Sequence, residues 1–249
     1  MRYGICNLSN VPLRLEASDK SEMVSQVVYG ELFKIIEYRK KWSKIKLAYD
    51  VYEGWVDNKQ FVEISKDDYK QVSVAKDIYS IDLVEYVQDE NNFLITIPLG
   101  ASLRGLSLLK HRFEGNTHSG KMTKNQLINS AFLYLNTPYL WGGRTPFGID
   151  CSGFTQMVYK ISGYDLLRDA SQQATQGEAL SFIDESEPGD LAFFDNNEGE
   201  IIHVGIILKD HHIIHAHGKV RIDRLDQSGI YNEMLGKHTH KLRVIKKLI

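Results

Sequence analysis

Cysteine is scarce in this 249-residue chain. Only Cys6 and Cys151 occur, too few for a disulfide framework or a thiolate zinc site. A dominant charge is also missing, since 30 basic residues face 32 acidic ones for a formal net charge of −2. No lysine run tracks a phosphate backbone, so nucleic acid is not an expected partner. Long apolar runs are absent as well: no segment approaches the about 18 consecutive apolar residues of a membrane-spanning helix, and no membrane partner is expected. The N-terminus MRYGICNLSN lacks the charged-then-apolar pattern of a signal peptide. The expected location is therefore the cytoplasm, where reducing conditions suit a free thiol; a presequence removed upstream would leave the same start. No internal repeat or low-complexity stretch stands out. What is present, with 43% hydrophobic residues, is a globular chain able to bury a core.

From Val11 to Ile64, short apolar runs (VPLRLEA, MVSQVVYGE, LFKIIEY, KWSKIKLA, EGWVDNKQFVEI) alternate with turn residues at about ten-residue spacing, the pattern of a small antiparallel barrel. A second set of such runs (VSVA, DLVEYV, NFLITIPLG, LSLL) lies between Tyr69 and Thr117, punctuated by Gly100, Gly105 and Gly115. The composition changes at Thr123, where TKNQLINSAFLYLNTPY carries Leu127, Ala131 and Leu135 on one helical face and Thr123 with Gln126 fits a capping box. Phe154, Met157, Val158 and Ile161 again recur at helical spacing. GDLAFF, HVGIIL and HIIHA then read as strands separated by turns. The expected domains are 1–66, 67–121 and 122–249, two all-β modules followed by an α+β domain.

The chemistry concentrates in TPYLWGGRTPFGIDCSGFTQMVY, residues 137–159. Cys151 falls where a glycine-rich loop gives way to a helix, and unpaired backbone N–H groups there favour an anion. Such an environment lowers a cysteine pKa from about 8.5 into the range of roughly 3.5–7.5. A cysteine nucleophile needs a base, and the base a third group to fix its tautomer. If HVGIIL and HIIHA pair as a hairpin, His203 and His215 come within contact. His203 is the expected base in an ion pair with the thiolate, and His215 its orienting partner. Helix N–H groups, with the Tyr139 hydroxyl as a further donor, are expected to stabilise a tetrahedral oxyanion. His211, His215 and His217 would share a strand face, but no carboxylate or thiolate falls at a supporting spacing, so no metal and no cofactor is expected. Trp42, Trp55 and Trp141 read as packing residues.

Taken together, TPYLWGG, DCSGFTQMVY, RDASQQ at 168–173, PGDLAFF, HVGIIL and IIHA resemble, in order, the blocks of the NlpC-type papain-like cell-wall peptidases. The resemblance covers about residues 122–249. It implies a papain-like α+β fold with Cys151, His203 and His215 as a catalytic triad. The two preceding modules look like bacterial Src-homology-3-type (SH3-like) barrels. The whole architecture is similar to that of the γ-D-glutamyl-L-diamino acid endopeptidases, which cut murein peptides after L-Ala-γ-D-Glu and require a free N-terminal alanine. By that resemblance Tyr139, Asp150, Ser152 and Ser171 hold the acyl half of the substrate. Glu16 and Tyr52 of the first barrel would bind the alanine ammonium with Asp150. The expected partner is a murein peptide and the expected state a monomer. Two other readings stay open: a hydrolase acting on stem peptides of intact wall, and an inactive wall-binding module.

Overall fold

A computed structural model describes residues 2–249 and divides the chain into two compact units, one running through Gly120 and including Trp141–Pro146, the other Lys121–Leu140 with Phe147–Ile249. In the first unit, strands β1 (Arg2–Ile5), β2 (Asn10–Arg14), β3 (Met23–Val28), β4 (Leu32–Tyr38), β5 (Trp42–Leu47), β6 (Glu53–Asp57) and β7 (Val62–Ile64) form a sheet of order β3-β2-β6-β5-β4-β1-β7. All its pairings are antiparallel. Period-two alternation explains its inner face: in WSKIKL, Ser43, Ile45 and Leu47 are buried while their neighbours are part-exposed. Val11, Leu13, Val27, Phe33, Ile45 and Val56 make the core with Cys6. Burial pushes the Cys6 thiol up to about 12, so it is an inert apolar filler.

Two of the runs read as strands are helical: LSLL is a one-turn helix at Leu106–Leu109, and the first three residues of VSVA end a longer one, α1 (Lys66–Val74). Ser65 caps that helix by accepting the Asp68 N–H, Asp67 and Asp68 suit its positive end, and Tyr69 and Val72 pack with Ile5 and Leu32. The three-residue spacing of Tyr69 and Val72 is a helical signal that a short β-branched run concealed. The second β module holds an antiparallel pair, Val84–Gln88 with Leu94–Pro98, extended by Arg112–Phe113. Its core is built on Val28 and Tyr29 of the first module, with Val87, Ile97, Ala101 and Leu103. Residues 141–146 belong to this unit through Arg144. Its guanidinium meets Glu31 in a bidentate pair (2.9 and 2.9 Å) and donates to the Gln26 carbonyl (2.7 Å), all buried.

The second unit is α+β. Helix α2 (Lys124–Phe132) carries the capping box read from Thr123 and Gln126. Helix α3 (Cys151–Ile161) is buried along all 11 residues, and the one-turn α4 (Ala170–Gln173) follows. Strands β8 (Glu178–Leu180), β9 (Leu191–Asp195), β10 (Ile201–Leu208), β11 (His212–His217), β12 (Lys219–Asp226), β13 (Gly229–Asn232) and β14 (Lys237–Lys247) complete it. Because the long β14 pairs with both β9 and β13, β9 to β14 close on themselves, with β8 added at β14. Helix α3 packs across β10 and β11. Val204, Ile206, Ile214 and Ala216, on the strand face opposite Ile207 and Ile213, are fully buried.

Candidate active site

Asp150 is the N-cap of α3 and accepts the Gly153 N–H at 2.6 Å, so Cys151 is the first helical residue, as its setting between loop and apolar periodicity requires. The thiol is 7% exposed. Its expected low pKa is not realised. Burial, and secondarily the Asp150 charge, push it up to about 12, against the opposing pull of the Val204 and Ser152 backbone N–H groups and Arg168. A helix end acts over one turn and is worth about 1 kcal/mol, which desolvation of a thiolate exceeds. The Val204 N–H hydrogen bond sets the sulfur beside the strand that carries His203.

Register brings the imidazoles together. Gly205 pairs with His215 and Ile213 with Asp223, so His203, His215 and Asp223 lie on one face of β10, β11 and β12. His203 Nε2 is 2.8 Å from His215 Nδ1, and His215 Nε2 is 2.9 Å from Asp223 Oδ2. His240, from β14, stacks on His203 with ring centroids 4.2 Å apart. Burial, then the neighbouring imidazoles His215, His240 and His217, hold His203 well below the usual histidine value. Burial also lowers His215, opposed by Asp223. The resting site therefore holds a neutral thiol and neutral imidazoles rather than the expected ion pair.

The residues expected around the nucleophile divide. Asp150 and Ser152 are buried at the start of α3 and share a partner: Arg168, itself buried, donates to both Asp150 carboxylate oxygens (3.0 and 2.6 Å) and to Ser152 Oγ (2.9 Å). Tyr139 is half-buried. Burial and the proximity of Cys151 and Asp150 raise its pKa, which keeps the phenol protonated and able to donate. Ser171 is exposed on α4. Glu16 and Tyr52 belong to the first unit. The Glu16 backbone N–H donates to Ser21 Oγ at 2.9 Å, and Tyr52 packs against the barrel core while its N–H donates to Asp50. Trp141, expected to pack, is instead 60% exposed and donates through Nε1 to Glu22.

Sequence reasoning passed over several participants. Arg168 and Gln173 stood inside the quoted RDASQQ without a role; Gln173 donates to the Ser152 carbonyl (2.9 Å) and accepts from Thr155 (2.7 Å), tying α4 to the start of α3. Asp223 was missed because KVRIDRLD was not read as a strand. Its signal was an acid two residues from Leu225, hence on the same buried face, where a carboxylate requires a partner. The histidine face expected over His211–His217 breaks at its first member. His211 sits in the β10–β11 turn with φ 54°, and β11 begins at His212. Among the described residues no group of three or more His, Cys, Asp or Glu side chains is arranged to hold a metal ion.

Residues 136–242 match the model of the NlpC/P60 family, and residues 13–61 that of the bacterial dipeptidyl-peptidase SH3 domain. The γ-D-glutamyl-L-lysine dipeptidyl-peptidase of Bacillus subtilis (strain 168) is 29% identical over 82% of this chain and 75% of its own length. The protein of the same name from Bacillus cereus (strain ATCC 10987 / NRS 248) is 26% identical over 90% of this chain and 77% of its own. The crystal structure of an NlpC/P60 family protein from Bacillus cereus ATCC 10987 superposes with a TM-score of 0.81 at 18% identity, covering 98% of this chain and 99% of that one.

Proposed function

On the matches of residues 136–242 to the NlpC/P60 family and of residues 13–61 to the bacterial dipeptidyl-peptidase SH3 domain, we propose that this chain is a cell-wall peptidase that cleaves γ-D-glutamyl-diamino acid bonds in murein peptides with a free N-terminal L-alanine. The product is L-Ala-γ-D-Glu, and the setting is recycling of free wall peptides in the cytoplasm. The bond between His203 and His215, beside a cysteine at a helix start, carries the reading. The names of the two Bacillus relatives support the bond specificity.

In the proposed reaction Cys151 Sγ attacks the γ-carbonyl of D-glutamate as its proton passes to His203, and the carbonyl becomes a tetrahedral oxyanion. Backbone N–H groups at the start of α3 and the Tyr139 hydroxyl donate to that oxyanion. Collapse breaks the C–N bond, and His203 returns the proton to the leaving amine. Water, deprotonated by His203, then hydrolyses the thioester. Because thiol and imidazole are both neutral at rest, proton transfer accompanies attack instead of preceding it. In this reading Ser152, Ser171 and Asp150 bind the acyl dipeptide, and Glu16 and Tyr52 serve the alanine ammonium. The buried Arg168 already balances Asp150, so the ammonium's counter-charge is assigned chiefly to Glu16.

Incubation with L-Ala-γ-D-Glu-diaminopimelate is expected to release the dipeptide, with the N-acetylated analogue cut at least tenfold more slowly, the loss of one charge-assisted contact of about 1.5–3 kcal/mol. Glu16→Gln is expected to narrow that preference. Equal turnover of the free and acetylated peptides would overturn the amine requirement.

A further inference from the structure

We infer that Asp223 is a fourth member of the catalytic chain, a positioning residue that fixes the tautomers of both histidines so that His203 Nδ1 presents a lone pair to the thiol. The inference rests on the cysteine-peptidase reading of the site. It begins with a constraint on hydrogen bonding: an ionised carboxylate only accepts. With Asp223 Oδ2 at 2.9 Å, His215 Nε2 must carry the hydrogen. A neutral His215 then has its lone pair on Nδ1, and the 2.8 Å contact requires His203 Nε2 to donate into it. His203 Nδ1 is left unprotonated, the state a general base requires. Each ring nitrogen in the chain is determined by the group beyond it, and the series ends at the one member that has no alternative.

Without Asp223 the order could reverse. His215 Nδ1–H would donate to His203 Nε2, the hydrogen on His203 would sit at Nδ1, and no base would face the sulfur. The two arrangements use the same inter-imidazole contact, so nothing in the histidine pair itself selects between them. Two features hold the carboxylate in the accepting state. Arg221 Nη2 donates to its second oxygen at 2.7 Å, and although burial alone would raise its pKa, the bonds from His215 and Arg221 keep it below the usual carboxylate range. Asp223 is 7% exposed, so water competes little for either oxygen. After proton transfer the same carboxylate faces the imidazolium through His215. Besides Arg221 and the Cys151 thiol, the titratable groups around the pair are His217 and His240, both imidazoles, and Asp223 is the carboxylate bonded to it.

Two measurements test this. Long-range 15N–1H spectra of the free protein at pH 7.5 are expected to show His203 and His215 both protonated on Nε2 and bare on Nδ1. Hydrolysis of L-Ala-γ-D-Glu-diaminopimelate by Asp223→Asn is expected to lose roughly 10- to 1000-fold in kcat with KM within about twofold. The loss arises because the amide NH2 of Asn can donate to His215 and admit the reversed order. Asp223→Glu is expected to restore part of that loss. A resting His203 with hydrogen on Nδ1, or Asp223→Asn retaining kcat within about twofold, would overturn the inference. If Asp223→Asn fails to fold, the wild-type spectra decide alone. If the wild type shows the expected tautomers but leaves the peptide uncut, the substrate assignment fails and the role of Asp223 stands.

Discussion

At Cys151 two electrostatic effects of opposite sign meet. The helix start and the Val204 N–H favour a thiolate, whereas burial disfavours it more strongly and leaves the thiol raised to about 12. The same burial holds His203 neutral. The resting thiol is therefore expected to be poorly nucleophilic. Alkylation by iodoacetamide at pH 7 should be at least about tenfold slower than that of a free thiol of pKa near 8.5, and should keep rising above pH 9. Fast labelling below pH 6, read by mass shift and absent in Cys151→Ala, would instead indicate a resting ion pair. Sequence could mark Cys151 as the candidate nucleophile because a cysteine between glycines at a helix start is a local pattern. It could not give the sign of the pKa shift, which depends on how completely α3 is enclosed. Asp223 left a local signal two residues from Leu225, but its pairing with His215 comes from a register across three strands.

Among the elements, the hairpin of β10 and β11 carries His203 and His215, the histidines of the proposed chemistry. Gly205 lies opposite His215 in register, and a Cβ placed there would stand 2.8 Å from His215 Cβ and 2.7 Å from Ile213 Cδ1. The glycine is thus the space in which His215 turns toward His203. Gly205→Ala is expected to cost about 1–3 kcal/mol by overpacking and to lower kcat by tenfold or more through displacement of His215. Thermal unfolding and initial rates measure the two effects, and unchanged rates would remove the glycine from the site's design. The sequence made this hairpin legible through HVGIIL and HIIHA, whose apolar runs are long enough to force a buried strand. It obscured α1, where a capped helix ends in VSV, and it placed His211 in a strand although a left-handed turn claims it. Periodicity identifies long elements; at ends and turns, caps and chain reversal decide.

For the whole molecule, closure of β9 to β14 brings His240 of the last strand onto His203 of the second, so the cluster gathers three imidazoles with lowered pKa values: His203, His215 and His240, the last at about 4. Their folded values lie below the unfolded value of about 6.5, so below that pH the unfolded chain binds more protons. The stability they contribute is complete above about pH 6.5 and lost as pH falls toward 4. Urea midpoints followed by circular dichroism should be level between pH 7 and 8 and decline between pH 6.5 and 4; a midpoint rising over that interval would contradict the burial of these rings. By itself the sequence singled out Cys151 with His203 and His215 as the candidate site, the capping box of α2 and the alternation of the barrel strands, because each is written in neighbours a few residues apart. Only the tertiary structure decided that Asp223 bonds to His215, that His240 stacks on His203 and that Arg168 holds Asp150. Those partners meet through strand register and burial, and the free energy of a buried charge depends on what the fold sets beside it.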